Sequence, residues 1–278
     1  MIESAALRKT KQAVRALLPQ GVLNWREARY YCKYGEIEMR LVDLLCRSGE
    51  DAIDVGANFG GYVHFMQHHA RRVIAFEPVP EFVCVLRGKF GDNVVIEPIA
   101  LSNRVGEAML YTPVISGTKV GGCSSLSSIA VAGYAVRDVI RARVARLDDS
   151  YGGTVGFIKI DVEGHEQAVL EGSVETIRRC QPRLLIEIEE RLSPGGTVRV
   201  SALLGELGYS GYYVHAGELH DIEEFSVDRL QTPRQMPDVT ATLRCRTPVE
   251  DYVYNFIFLP AGEPAATVTL IRKRLAHL

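Results

Sequence analysis

The chain has no long apolar run. Charged residues interrupt every hydrophobic stretch before the roughly 20 residues that a membrane-spanning helix requires, so a helical membrane protein is not expected. The opening MIESAALRKTKQAVRALLPQ scatters Arg8, Lys9, Lys11 and Arg15 where a signal peptide needs an unbroken apolar core, and the expected location is the cytoplasm. Metal and disulfide patterns of cysteine are missing as well. Six cysteines are dispersed without a CxxC pair and without a His at ligand spacing, which argues against a zinc site or a disulfide framework. Neither charge sign dominates: 32 Lys+Arg against 34 Asp+Glu leave a net charge of -2, so no overall field draws in a polyanion and nucleic acid is not an expected partner. Internal repeats and low-complexity tracts are absent too, which excludes a solenoid.

What remains is an ordinary globular composition, 47% hydrophobic and 24% charged over 278 residues, enough for one large domain with added segments. From about residue 50, short apolar runs alternate with helical periodicity, the signature of an α/β sheet. Ala52 to Gly56 reads as a first strand and Tyr62 to Ala70 as a helix. Arg72 to Pro78 is a second strand, stopped by Pro78 and Pro80, and Phe82 to Phe90 is a helix capped by Gly91. Val94 to Leu101 is a third strand.

Gly106 to Thr112 suggests a hairpin arm, and the Gly- and Ser-rich stretch from Ser116 to Ser128 a functional loop. Val155 to Asp161 is a buried strand, followed by one helix with Val169, Leu170, Val174 and Ile177 on a common face. Leu184 to Glu190 is the next strand, Val200 to Leu207 a helix ended by Gly208, and Gly211 to Val214 and Tyr252 to Leu259 two late strands. The pattern gives about seven strands in a domain over 51–262. Residues 1–50 form a helical extension that precedes the sheet and covers the pocket or makes a homodimer contact. Residues 231–248 are an irregular insertion, and 263–278 a tail whose basic end is solvated.

Three motifs carry chemistry. DVGANFGG, Asp54 to Gly61, joins a strand to a helix by a tight turn whose backbone N–H groups can approach a ligand. Gly56, Gly60 and Gly61 give room, while Asn58 stands where a dinucleotide fingerprint has its second glycine. Glu77 closes the second strand, where a carboxylate grips a ribose diol; NAD and S-adenosylmethionine both contain that ribose. In IKIDVEGHE, Ile158 to Glu166, Lys159 and Asp161 share one side at the carboxyl end of a strand buried on both faces, where charge is costly. Glu187 and Glu189 share one side of the neighbouring strand, so a Lys159–Glu187 pair is expected. Asp161, Glu163 and His165 are the candidates to face a substrate, and a purely structural ion pair is the alternative.

DVGANFGG, AFEP, PIALSN, IKIDVEGHEQAVLEG and PRLLIEIEE together resemble the FkbM family of S-adenosylmethionine-dependent methyltransferases, over Ala52 to Glu190. The resemblance implies the class I methyltransferase fold, a Rossmann-like and mostly parallel seven-stranded sheet of order 3-2-1-4-5-7-6 with helices on both faces. It also implies O-methylation of a hydroxyl on a sugar, glycolipid, polyketide or similar small-molecule or glycan acceptor. Gly56, Ala57, Asn58 and Gly60 would then surround the methionine part of the cofactor, and Asp54 is expected among the cofactor-binding residues. Glu77 would hold the ribose, Pro78 flank the adenosine, and Ala100, Leu101 and Ser102 border the adenine.

An alcohol must lose a proton as it attacks the methyl group, so Asp161 or His165 is expected as base, with Glu163 and Glu187 as orienters. Magnesium held by Asp161 and Glu189 is an alternative way to lower the hydroxyl's pKa. A nicotinamide-dependent oxidoreductase and a non-catalytic cofactor-binding protein are rival readings. A membrane-surface role for Arg8 to Arg15 is a third.

Overall fold

The computed structural model describes residues 29–30, 35–115, 118–119, 124–127, 137–232, 252–263 and 265–278; most of the expected extension and of the 231–248 insertion lies outside them. The alternation of apolar runs and helices builds an eight-stranded sheet of order β11-β10-β12-β9-β8-β1-β2-β3. Its members are β1 (Asp51–Val55), β2 (Val73–Phe76), β3 (Val94–Glu97), β8 (Val155–Ile160), β9 (Arg183–Glu187), β10 (Tyr209–His215), β11 (Glu218–Asp221) and β12 (Asn255–Pro260). The five strands from β3 to β9 pair in parallel, and β12, β10 and β11 are antiparallel. β1, β2, β8 and β12 are buried along their whole length, as expected for strands covered on both faces.

Without β11, the order is the class I order that the resemblance implies. The eighth strand follows a turn in which Ala216 and Gly217 both have positive φ, 51° and 78°. Alanine rarely adopts that conformation, which hides the hairpin from a reading of the sequence.

The third expected strand is two. Pro98 has no N–H for the ladder: β3 stops at Glu97, and β4 (Ala100–Leu101) crosses into a second sheet of order β4-β7-β5-β6. That sheet is the expected arm, longer than predicted, with β5 (Gly106–Ile115), β6 (Thr118–Lys119) and β7 (Arg137–Ala145). The helix expected after β8 is also two, α5 (Glu166–Glu171) and α6 (Val174–Cys180), preceded in the chain by α1 (Val42–Leu45), α2 (Gly61–Met66), α3 (Pro80–Lys89) and α4 (Leu147–Ser150). The break falls at Gly172, where a Cβ would stand 2.0 Å from the carbonyl oxygen of Ser102. This close approach fixes α5 against the chain just after β4.

Two further expectations change. A 3-10 turn (Ile37–Leu41) and α1 do not merely precede the sheet; Leu41, Val42 and Leu45 pack with Ala52, Val63 and Phe157 in one of the two main core layers. The C-terminal segment is not a loose tail but a helix docked by one face, with Arg272 and Lys273 solvated as expected. After α7 (Gly196–Glu206) and α8 (Val227–Leu230), α9 (Ala265–Leu275) buries Ile271 and Leu275, and Arg274 bonds both carboxylate oxygens of Asp43 at 2.8 and 2.9 Å. Among the described residues no helix is long and apolar enough to cross a membrane.

Candidate active site

The carboxyl ends of β1, β2 and β8 meet at a cleft of about 560 Å³. β1 leaves the sheet at Gly56, whose N–H and that of Ala57 both donate to the Phe76 carbonyl, while Asp161 N–H donates to the Val55 carbonyl. The turn therefore lies against the end of β8, and only glycine fits: at φ 83° a Cβ on Gly56 would meet the Asp161 carbonyl oxygen at 1.9 Å. Asn58 takes φ 49°, a left-handed conformation that asparagine tolerates better than most residues. Its Oδ1 is buried with no hydrogen-bond partner, an orphaned acceptor that fits a bound donor.

Glu77 is 4% exposed at the end of β2. Its Oε2 accepts the Asn58 N–H at 2.7 Å and its Oε1 accepts the Val79 N–H at 2.8 Å, so one side chain fixes the turns after β1 and β2. A carboxylate offers about four lone-pair sites, and two are left for a diol. Burial pushes its pKa up to about 7, against the two backbone donors.

Beside this turn lies a buried charge cluster. Lys159, 1% exposed, sits 4.0 Å from Asp161 Oδ2 and 3.9 Å from Glu187 Oε2, the pairing expected from the strand period. It also lies 5.1 Å from the Tyr62 ring centroid and 3.4 Å from Asn255 Oδ1. Asn255 and the Tyr62 hydroxyl both donate to Glu36, at 2.9 and 2.5 Å. Burial raises the Asp161 carboxyl to about 6 in spite of Lys159, and pushes Glu163 and Glu187 up as well, reinforced by Asp161 beside each.

Removing the one ammonium of this cluster strands its carboxylates. Lys159→Met is expected to destabilise the fold by about 3–5 kcal/mol, measured by urea denaturation; a loss below about 1 kcal/mol would show that the cluster carries little charge.

The same burial predicts how stability varies with pH. Glu38 is raised to about 8, Asp54, Glu77 and Glu166 to about 7, so the folded chain holds protons that the unfolded chain has released. Their contribution is full below the unfolded carboxyl range near 4 and fades as pH rises through 7 to 8. Asp51 and Glu263 run the other way. Burial notwithstanding, Arg71, Tyr151 and Arg72 hold Asp51 down at about 2, and Arg183, Thr267 and Arg47 do the same for Glu263, so their contribution is lost below about pH 4. The thermal midpoint of the ligand-free protein should rise from about pH 8 to about 5.5 and fall again below about 4. A midpoint that climbs steadily toward pH 8 contradicts this.

The far side of the cleft is apolar, lined by Phe76, Val79, Ala100, Leu101, Leu110 and Leu126. Leu110 comes from the hairpin arm, and Val79, Phe82, Leu110 and Ala142 form a small cluster of their own. Ser125 bridges Tyr111 of β5 and donates from Oγ to the Glu163 carbonyl at 2.6 Å, tying the arm to the loop after β8. His165 lines the cleft, with Nε2 2.9 Å from the Ser102 hydroxyl. Burial, then Arg104, pushes its imidazole down, against Glu171, which favours the neutral ring.

The cleft walls thus include Gly56, Asn58, Glu77, Pro78, Ala100, Leu101, Asp161, Glu163 and His165 and not the other expected residues. Asp54 is buried behind the turn, bonded by the Val63 backbone N–H and facing Lys159. Ala57 and Gly60 shape the turn from beneath; a Cβ on Gly60 would strike Phe90 and Leu86. Ser102 stands behind His165. Glu187 backs Lys159. Glu189, offered as a magnesium ligand, is held by Arg191 at 2.6 and 2.7 Å and by the Tyr252 hydroxyl at 2.8 Å. Among the described residues the group of three acids whose oxygens lie within 4.8 Å of one another is Asp161, Glu163 and Glu187; Glu189 is not one of the three, although its charge acts on Asp161.

Ser124 and Leu126 come from the expected functional loop of Ser116 to Ser128 without having been singled out, while Leu110 on the arm and Glu36, Tyr62 and Asn255 beneath Lys159 were missed. The period of two in β5 points to Leu110. Nothing local marks Glu36, which reaches the cluster only through tertiary packing.

A model of the methyltransferase FkbM domain matches residues 54–214. Among solved structures, the FkbM methyltransferase of Methylobacillus flagellatus KT aligns at 14% identity and a TM-score of 0.47, over 76% of this chain and 43% of that one. An rRNA methylase of Streptococcus thermophilus aligns at 9% identity and 0.41, over 81% and 94%. SMU.1697c of Streptococcus mutans, in complex with SAH, aligns at 11% and 0.40, over 80% and 95%. This chain thus spans under half of the Methylobacillus protein, and no curated protein matches it. With the domain model covering more than half of its residues, the chain belongs to the FkbM methyltransferase family.

Proposed function

We propose that the protein is an S-adenosylmethionine-dependent O-methyltransferase acting on a hydroxyl of a sugar, glycolipid, polyketide or related small molecule. The observation that carries the reading is the junction of a Glu77 carboxylate, half of its acceptor sites free, with an apolar slot on one side and a solvent-reaching Asp161 on the other. Glu77 fits a ribose diol. Pro78, Ala100 and Leu101 fit a nucleobase, and the turn Gly56–Asn58, with its orphaned Oδ1, fits the amino-acid end of the cofactor. When bound, S-adenosylmethionine supplies an already activated methyl group, which leaves alignment and proton removal to the protein.

Asp161 does the second task. Its side chain is 33% exposed, and with Lys159 beside it the carboxylate is the ionised form at neutral pH. It accepts the hydroxyl proton as the C–O bond forms. Glu163, on the cleft wall with its carboxyl pushed up by burial, orients the acceptor, and Glu187 acts from behind through Lys159. The arm, fastened by Ser125, covers the apolar slot and keeps water from it.

The experiment is transfer of isotopic label from methyl-labelled S-adenosylmethionine to a panel of sugars, glycolipids, polyketides, amines and RNA. Label on a hydroxyl of a small acceptor supports the reading; label on nitrogen or on RNA overturns the acceptor class.

A further inference from the structure

Resting on that reading, we infer that Glu36 is a positioning residue for the base: by fastening Tyr62 and Asn255 it holds the Lys159 ammonium back from Asp161 and leaves Asp161 free to take the acceptor's proton. Besides its acidic neighbours, Lys159 Nζ meets the Tyr62 ring, 5.1 Å to the centroid, Asn255 Oδ1 at 3.4 Å and the Ile160 carbonyl at 3.4 Å. The two side chains are tied to one atom. Glu36 Oε2 accepts the Tyr62 hydroxyl at 2.5 Å and Asn255 Nδ2 at 2.9 Å. A carboxylate only accepts and an ammonium only donates, so the Asn255 amide has one orientation, nitrogen toward Glu36 and oxygen toward Lys159. Glu38 Oε2, 3.5 Å from the same nitrogen, faces it from the same side.

Held in this way, Lys159 stands 4.0 Å from Asp161 Oδ2 and 3.9 Å from Glu187 Oε2, about 1 Å beyond a charge-assisted hydrogen bond of roughly 2.7–2.9 Å. It faces Asp161 as a charge without occupying an oxygen. Lys159 is 1% exposed, and a buried cation takes the hydrogen bonds within its reach. Released from Tyr62 and Asn255, its ammonium would close on the two carboxylates, and a closed pair holds a carboxylate ionised and lowers its affinity for a proton. Glu36 also acts on Asp161 as a like charge, which works in the same direction as the tether.

The other groups that face Asp161 are acids: Asp54 on β1, Glu77 at the end of β2, Glu163 and Glu166 after β8, Glu187 on β9 and Glu189 just past it. Lys159 is the cation among them, so the place of its ammonium sets how readily Asp161 accepts a proton. Asn255 begins β12 directly opposite Glu187, and Tyr62 comes from α2. Glu36 thus joins two elements that the sheet alone leaves independent. Neither Glu36 nor Asn255 is among the walls of the cleft, and both act through Lys159.

The test is carbon-13 NMR titration of the whole chain, free of cofactor and labelled at the aspartate carboxyl carbon, with the Asp161 signal identified by its loss in Asp161→Asn. Wild type should titrate near pH 6. Glu36→Ala, which removes anchor and charge together, should lower that midpoint by about half a pH unit or more. Asn255→Leu removes one tether and keeps the Glu36 charge; it should lower the midpoint as well, and it decides the matter if the Glu36 variant does not fold. Glu206→Ala, a carboxylate lost from the exposed end of α7, should leave the midpoint in place. A merely structural role would lower the melting temperature of the variants without moving the Asp161 titration. An unmoved or raised midpoint in either folded variant overturns the inference and leaves the methyltransferase reading intact. An undiminished rate of methyl transfer in Asp161→Asn overturns the reading of Asp161 as base, and the inference with it.

Discussion

Asp161→Asn is expected to lower the rate of methyl transfer by about 10²–10⁴-fold, the usual contribution of a positioned general base, while S-adenosylmethionine binds within a few-fold of wild type. The substitution keeps shape and removes the proton affinity together with the negative charge that faces Lys159. Asp161 N–H still closes onto the Val55 carbonyl, so the turn that carries Gly56 stays in place, and Lys159 keeps Glu187 at 3.9 Å as its counter-charge. Single-turnover measurement with a labelled hydroxyl acceptor separates the two quantities. A full rate with Asn at 161 would place the base elsewhere. Loss of cofactor binding in proportion to rate would make Asp161 a structural member of the turn.

The second large effect is on the cofactor. Glu77→Ala should weaken S-adenosylmethionine by roughly 1–3 kcal/mol for each polar group left unpaired, about ten- to a hundredfold or more in affinity. Two causes add. The ribose diol loses its acceptors, and the backbone N–H groups of Asn58 and Val79, now fixed at 2.7 and 2.8 Å from the carboxylate, lose theirs. Glu77→Gln separates them, because a glutamine oxygen can still serve one N–H while its amide nitrogen cannot accept from the other or from the diol. Glutamine should therefore bind nearly as weakly as alanine and fold more stably. Wild-type affinity in either variant would remove Glu77 from the ribose.

The residues that line the cleft show why the sequence disclosed some of this and not the rest. Glycine at 56, the acid at 77 and the Lys159–Asp161 pair are legible because each breaks a local rule: a Cβ-free corner at the end of a buried strand, and charges in strands that should be apolar. Their partners lie one strand away at a fixed register, Asp54 against Lys159 and Val55 against Phe76, so the parallel sheet assembles them without further information. Roles that depend on what lies behind a residue were not legible. Asp54 and Glu189 read as site carboxylates from their positions at strand ends, yet Asp54 faces inward and Glu189 is taken by Arg191 and Tyr252. His165 reads as a base from its type alone. Its contact with Ser102, 63 residues away in sequence, is a tertiary one that no local pattern marks.

Boundaries fail for equally physical reasons. Pro98 divides one apolar run between two sheets, and the approach of Gly172 to Ser102 divides one helical period between two helices. Glu36 and the 3-10 turn after it carry no motif, but Asn255 bonds Glu36 beneath Lys159 and Leu41 packs in the core of the sheet, so the end of the expected extension is built into the fold. The acid cluster is consequently more enclosed than a count of strand-end carboxylates suggests, which is the source of its raised pKa values.

Whether the cleft holds S-adenosylmethionine is decided by calorimetric titration of the purified protein with S-adenosylmethionine and, separately, with NAD. One site per chain with micromolar affinity for S-adenosylmethionine is expected, and much weaker or no binding of NAD, because Asn58 crowds the turn where a pyrophosphate would lie. No binding of S-adenosylmethionine, or tighter binding of NAD, would contradict it.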